Sequence, residues 1–201
     1  MMGHLKRLLA FAMAGGAMIT GLVLAAPTTS GAASTPTTAT WAEPPSATPN
    51  FIFPFYPGAL CSVDNVEQFQ FLMYRPLYWF GDGTTASEDP SLSVGETPTY
   101  SSGNTTVTVN LKSYKWANGE TVTAQDVLFF MNIYHAEKAN FCGYVPNLFP
   151  DNVTNVTASG TTATITFNHA YNSHWILYNE LSQITPLPIA WDITAAGGSP
   201  G

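Results

Sequence analysis

A mixed α/β domain built on short antiparallel strands is what the sequence predicts, and three observations predict it. Residues Thr105 to Lys112 alternate strictly, Val107, Val109 and Leu111 on one side and Thr106, Thr108 and Asn110 on the other, as in a strand buried on one face. Behind the turn dipeptide Asn118-Gly119, the run TAQDVLFFMNIY carries a helix cap and then a helical apolar period. Two more alternating runs, Val153 to Ala158 and Thr161 to Phe167, flank Ser159-Gly160, whose residues suit a hairpin turn. Hairpins separated by a single long helix give an α+β arrangement rather than a repeating βαβ one.

Composition narrows the setting. Charged residues are 9% of the 201, against the roughly 25% usual for soluble domains, and Thr, Ser, Asn, Pro and Gly supply the polar surface instead. Apolar residues reach 45%, with 12 Phe, 9 Tyr and 5 Trp, so the chain has ample material for a core and aromatic rings to spare for a binding surface.

Residues 1–33 read as a signal peptide: His4, Lys6 and Arg7 precede an uncharged apolar run from Leu8 to Ala26, and small residues follow at Ser30 to Ser34. Cleavage after Ala32 or Ala33 fits the small-x-small rule. The competing expectation is membrane association through an uncleaved segment, since ~19 apolar residues can just span a bilayer. No cysteine near the processing region offers a site for lipid. Without this segment, four basic side chains face 13 acidic ones, a net of 4 − 13 = −9, which repels nucleic acid. Residues 34–49, rich in Thr, Pro, Ala and Ser, read as a linker.

The folded part is expected over residues 50–201. Phe51, Ile52, Phe53, Phe55 and Tyr56 crowd around Pro54 and Pro57, which predicts a short strand breaking into an aromatic loop. Five large side chains interrupted by two prolines cannot all point one way, so some are expected to line a cleft. Asp64 to Tyr74 has Val66, Phe69 and Met73 on one helical face, with Asp64 as the expected cap and Arg75-Pro76 as the stop. Leu77 to Phe80 reads as a short strand before the turn Gly81-Asp82-Gly83.

The main helix is predicted from Ala124 to Lys138, capped by Thr123 with Asp126 in the capping-box position, and burying Val127, Phe130, Met131 and Tyr134. Tyr171 to Leu181 is a weaker helix, ended by Pro186 and Pro188 in an extended segment that runs to Trp191.

Two cysteines, Cys61 and Cys142, in an exported chain favour a disulfide, two separate buried thiols being the alternative. Neither lies in CxxC, which argues against a redox or zinc role. His169 and His174 stand five apart, off the i, i+4 spacing of metal ligands on one helix face. Asp82, Glu88 and Asp89 lack the pattern of a calcium loop and read as a solvated turn. Neither G-x-S-x-G, a phosphate-binding G-x-x-x-x-G-K nor H-E-x-x-H is present, so no catalytic residue, metal or cofactor is expected, and the chain reads as a non-enzyme.

One stretch goes further. KWANGETVTAQDVLFFMNIY closely resembles the family 5 extracellular solute-binding proteins, the peptide-binding components of ABC importers, with Trp116, Asn118, Gly119, Val122, Thr123, Ala124, Asp126 and Val127 on the pattern. Asn118 stands where Asp is commoner. YRPLYWFGDG, Asp89-Pro90-Ser91-Leu92, TATITFNHAYNSHWILYNEL and ITPLPIAWD resemble neighbouring elements of the family in order and spacing, so the resemblance runs from Phe51 to Asp192.

What it implies is a type II periplasmic-binding-protein-like fold, of which this chain carries part of the first lobe. It also implies a receptor without chemistry of its own, which closes two lobes on a peptide or similar small solute and delivers it to ABC permease subunits. By position, the resemblance puts Ile52, Phe53, Phe55 and Tyr56 at the cleft floor and lets Tyr144 reach the ligand. It assigns the groups that neutralise a peptide's termini to the other lobe. Location at the cell surface, outside the cell or in a periplasm goes with it. The alternative function is a secreted or cell-surface interaction module derived from a truncated binding lobe.

Overall fold

The computed structural model describes residues 49–66, 70, 73–81 and 86–192. The expected signal peptide and most of the linker, residues 1–48, lie outside the described residues, as do the turn at Asp82-Gly83 and much of the predicted helix from Asp64 to Tyr74. Among the described residues no helix is long and apolar enough to cross a membrane.

The frame is a four-stranded antiparallel sheet of β1 (Thr99–Tyr100), β2 (Thr106–Asn110), β3 (Val153–Ser159) and β4 (Thr162–Phe167), in the order β1-β2-β4-β3. The alternation in the sequence sets its register. Val107 faces Ile165 and Val109 faces Ala163 across β2 and β4, and Val156 and Ala158 continue these rows on β3. Val107, Val109, Ala163, Ile165 and Phe167 are buried, while the threonines between them are half exposed. A bulge between Val153 and Asn155 shifts the start of β3. The β3–β4 turn is the expected one, with Gly160 at a positive φ of 58°.

A first helical turn, α1, spans Val63–Asn65. The main helix, α2, spans Ala124–Glu137 and packs on β3 and β4. Its predicted face is buried: Val127, Phe130, Met131 and Tyr134 join the sheet residues in the core, each contributing roughly 1.5–3 kcal/mol by burial. The capping box forms as read, the Thr123 amide donating to the Asp126 carboxylate at 2.6 Å. The preceding hairpin is also as read. The Trp116 amide donates to the Glu120 carbonyl at 2.8 Å, and Gly119 takes a φ of 89° that side chains avoid. The Ala124 amide donates to the Gly160 carbonyl at 3.0 Å, tying the helix start to the β3–β4 turn.

Five expectations are corrected. Phe51 to Tyr56 joins no ladder; the amides of Asn50 and Phe51 donate instead to the Asn65 side chain at 2.9 and 3.1 Å. The cap of α1 is Ser62, whose hydroxyl accepts from the Asn65 amide, and Asp64 stands in the first turn. Leu77 to Phe80 is not a strand because its backbone groups are shared among separate partners. The Leu77 amide donates to the Ile184 carbonyl, the Leu77 and Trp79 carbonyls accept from Gly95 and Asp89, and only Phe80 bridges to Glu88.

The fourth concerns Tyr171 to Leu181. The chain forms one α-turn, α3 (Ser173–Trp175), then a π-helical turn over Ile176–Glu180 and a 3₁₀ turn over Leu181–Gln183. The Trp175 indole donates to the Glu180 carboxylate at 3.0 Å, a five-residue side-chain link that matches the wider π period. The extended segment after it ends earlier than expected, in a 3₁₀ turn at Ile189–Trp191.

Cys61 and Cys142 form a disulfide with Cα atoms 6.1 Å apart. Beside it the Cys142 amide donates to the Tyr56 carbonyl at 2.8 Å, so the aromatic loop is fastened to the segment that leaves α2.

Candidate functional site

An open groove of about 560 Å³ lies within the size range of small-molecule sites. Three segments wall it. Met73, Tyr74 and Arg75 follow the first helical region; Tyr114, Lys115 and Trp116 belong to the hairpin before α2; Pro186, Pro188 and Trp191 come from the proline-rich segment. Asp126 holds the third wall. Its Oδ1 accepts from the Ile189 amide at 2.8 Å and its carbonyl from the Leu187 amide at 3.2 Å, so the residue that caps α2 also positions the turn carrying Trp191.

Aromatic rings dominate the chemistry. Trp191 is 46% exposed, and Tyr74 meets it edge-on with centroids 6.2 Å apart. Phe53 approaches the same indole at 6.2 Å. Such a surface stacks on flat or apolar groups. The Tyr74 phenol is pushed up by burial, so it is a neutral hydrogen-bonding group there. The Trp116 indole nitrogen is buried with no partner among the described residues. Arg75 lies over the Tyr114 ring, 5.7 Å from its centroid.

The sequence-predicted site residues fall into three places. Ile52 is 50% exposed, and Phe53 is half-buried against Trp191, at the border of the groove. Phe55 and Tyr56 are core residues. Phe55 stacks on Phe141 at 4.7 Å, and the Tyr56 hydroxyl donates to the Asn65 carbonyl at 2.9 Å, burial pushing its phenol up to about 12. Tyr144 belongs to a third cluster: its hydroxyl donates to Asp151 at 2.7 Å, and Lys138 sits over its ring. Asp151 is held down to about 2, first by its ion pair with Lys138 and then by the Tyr144 hydroxyl and the Asn147 amide. Phe53 is thus the predicted residue with a ring contact to the groove wall, through Trp191.

Tyr74, Arg75, Lys115 and Trp191 were not among the predicted site residues. The signal available for them is weak: an Arg-Pro stop after one helix and a tryptophan behind two prolines, both of which read as punctuation. Nothing in their spacing says that the segments converge. Among the described residues no three His, Cys, Asp or Glu side chains cluster as a metal site, and His169 and His174 each lie beside a tyrosine ring.

Solved structures with the same architecture give the groove its context. The ABC transporter substrate binding protein CtaP of Listeria monocytogenes superposes with a TM-score of 0.55 at 27% identity, over 72% of this chain and 27% of that one. AppA of Clostridium difficile gives 0.51 at 28%, over 68% and 27%.

The chain shares its fold with the family 5 solute-binding proteins. The oligopeptide-binding protein AppA of Bacillus subtilis, solved with a nonapeptide, has the same fold at 16% identity and a TM-score of 0.53, over 73% of this chain and 27% of that one. This chain therefore spans about a quarter of the length of the solved proteins it matches, consistent with a partial binding lobe. No protein-family model matches the chain, and no curated protein does.

Proposed function

We propose that this chain is part of the first lobe of an extracytoplasmic solute receptor, one that captures peptides or similar small solutes and delivers them to the permease of an ABC importer. The observation that carries this reading is the fold shared with an ABC transporter substrate binding protein at 27% identity. The groove agrees with it: partly exposed rings from three segments, Phe53 among their neighbours, form a wall that stacks on apolar side chains.

Ile52 and Phe53 are the predicted residues with access to such a solute. Phe55, Tyr56 and Tyr144 contribute by supporting the loop and its anchor. Export through residues 1–33 places the receptor outside the cytoplasm, with residues 34–49 as its tether.

Uptake provides the test. Cells lacking the gene should accumulate labelled oligopeptides more slowly than the parent, and the intact gene should restore the rate. Unchanged uptake across di- to nonapeptides, with no peptide bound by the purified protein, would reject the reading. One wall of a two-walled cleft buries little of a ligand that complete sites bury by ~70–90%, so this chain alone should bind weakly.

A further inference from the structure

The acidic chain has an uneven charge map. Beyond the first 33 residues its basic side chains are Arg75, Lys112, Lys115 and Lys138. Lys138 pairs with Asp151, the only ion pair among the described residues, and Lys112 donates to the carbonyls of Pro90 and Ser93. The other two, Arg75 and Lys115, both line the aromatic groove. Both are exposed, and neither has a carboxylate partner among the described residues. Although the chain carries 13 Asp and Glu, no described residue lining the groove is one of them.

We propose that the groove takes an organic anion, a carboxylate on a flat or apolar body, with the body against Tyr74 and Trp191 and the carboxylate between Arg75 and Lys115. This rests on the solute-receptor reading and sharpens it to a charge class. Three physical points support it. An anion approaching an acidic protein is repelled except where local charge is positive, and here Arg75 and Lys115 place positive charge on the aromatic groove. Arg75 is held by stacking on Tyr114, so its guanidinium is partly ordered before a ligand arrives, which lowers the cost of using it. The Glu120 carboxylate of the same hairpin accepts from the Asn118 amide at 2.8 Å and makes no ion pair with Lys115 among the described residues, so Lys115 has no carboxylate held against it.

The test compares two ligands that differ only in charge. N-acetyl-Phe-Ala-Phe is titrated into the ¹⁵N-labelled full chain as the free acid and as the C-terminal amide, and the five tryptophan indole signals are followed. The expected result is that the acid shifts the Trp116 and Trp191 signals at about fivefold lower concentration than the amide, the size of one exposed ion pair. Arg75→Gln with Lys115→Gln should abolish the difference between acid and amide, and Lys115→Glu should reverse it. Both sites are exposed, so the unshifted indole signals of Trp79 and Trp175 report that the variants remain folded. Acid and amide binding equally, with the same two signals moving, would overturn the charge inference while the receptor reading stands. Neither ligand moving any indole signal up to its solubility limit would also overturn the charge inference, while the receptor reading is decided by the uptake measurement.

Discussion

Asp126 links the fold to the groove through one buried carboxylate. Its Oδ2 accepts from the Thr123 amide and hydroxyl, while Oδ1 accepts from Ile189. Replacing it by Ala leaves two part-buried amides without that acceptor, and bonds to charged groups are worth about 1.5–3 kcal/mol each. Asp126→Ala should therefore destabilise by about 2–4 kcal/mol in urea unfolding and shift the Trp191 indole signal. Asn, which accepts on one side only, should cost about half as much.

Glu180 behaves in the opposite way. It is 1% exposed; its Oε1 accepts from Asn152 and Trp175, whereas its Oε2 and the Asn152 Oδ1 have no partner. Burial raises the carboxyl's pKa above its ordinary value, since a proton on it removes a buried charge. Because the folded value is the higher, the native state binds the proton more tightly. The contribution of Glu180 is thus fully present below the unfolded value and is lost as pH rises through the folded one. Glu180→Gln, with an amide donor for Asn152, should flatten that decline and raise neutral-pH stability by about 1 kcal/mol. Chemical unfolding of both proteins from pH 4 to 9 checks this, and parallel curves would refute it. Asp151, held low by Lys138, has the reverse sign: its contribution is present above the ordinary carboxylate range and lost as pH falls toward 2.

At the scale of elements, the close packing of the Gly95 bridge on Tyr78 makes a sharp prediction. A Cβ at Gly95 would stand 2.9 Å from the Tyr78 ring and 3.1 Å from Val109, both in the core. Tyr78 cannot retreat freely, since its hydroxyl donates to the Glu96 carbonyl at 2.7 Å. Gly95→Ala should cost about 1–3 kcal/mol by overpacking, with the thermal midpoint falling accordingly. This contact was not legible in the sequence, because it depends on a long-range meeting of two irregular segments.

What was legible follows the same rule. β2, the β3–β4 hairpin, the Asn118-Gly119 turn and α2 with its Thr123 cap are specified by residues close together in the chain, and all appear as read. Leu77 to Phe80 was misread because its hydrogen-bond partners lie far away, at Ile184, Gly95 and Asp89. The π turn over Ile176–Glu180 escaped because its wider period goes with the bond from Trp175 to the buried Glu180 carboxylate, which no local propensity announces. The groove follows the same pattern: aromatic excess announced a binding surface, but Trp191 reaches it only through the tertiary bond of Ile189 to Asp126.

For the molecule as a whole, the covalent link between Cys61 and Cys142 joins the parts that local sequence leaves loosest. It spans a separation of 81 residues, so in the unfolded chain it closes a loop whose entropy corresponds to about 4 kcal/mol. In the native state it fastens the aromatic loop beside Phe55, which stacks on Phe141 next to the bridge, and beside Phe53, which touches Trp191 at the groove. These two roles predict separable effects. The Cys61→Ser, Cys142→Ser double variant should lose up to about 4 kcal/mol in urea unfolding under oxidising conditions, and reductant should lower the parent to the same level while leaving the variant unchanged. Because α2 and the sheet make their contacts without the bridge, far-ultraviolet circular dichroism of the variant should remain that of the parent. The Trp191 indole signal should move, since the loop bearing Phe53 loses its anchor. A variant with parental stability would show that the unfolded chain gains nothing from opening this loop. A variant with an unmoved Trp191 signal would show that Asn65, through its bonds to Asn50 and Phe51, fixes the aromatic loop by itself.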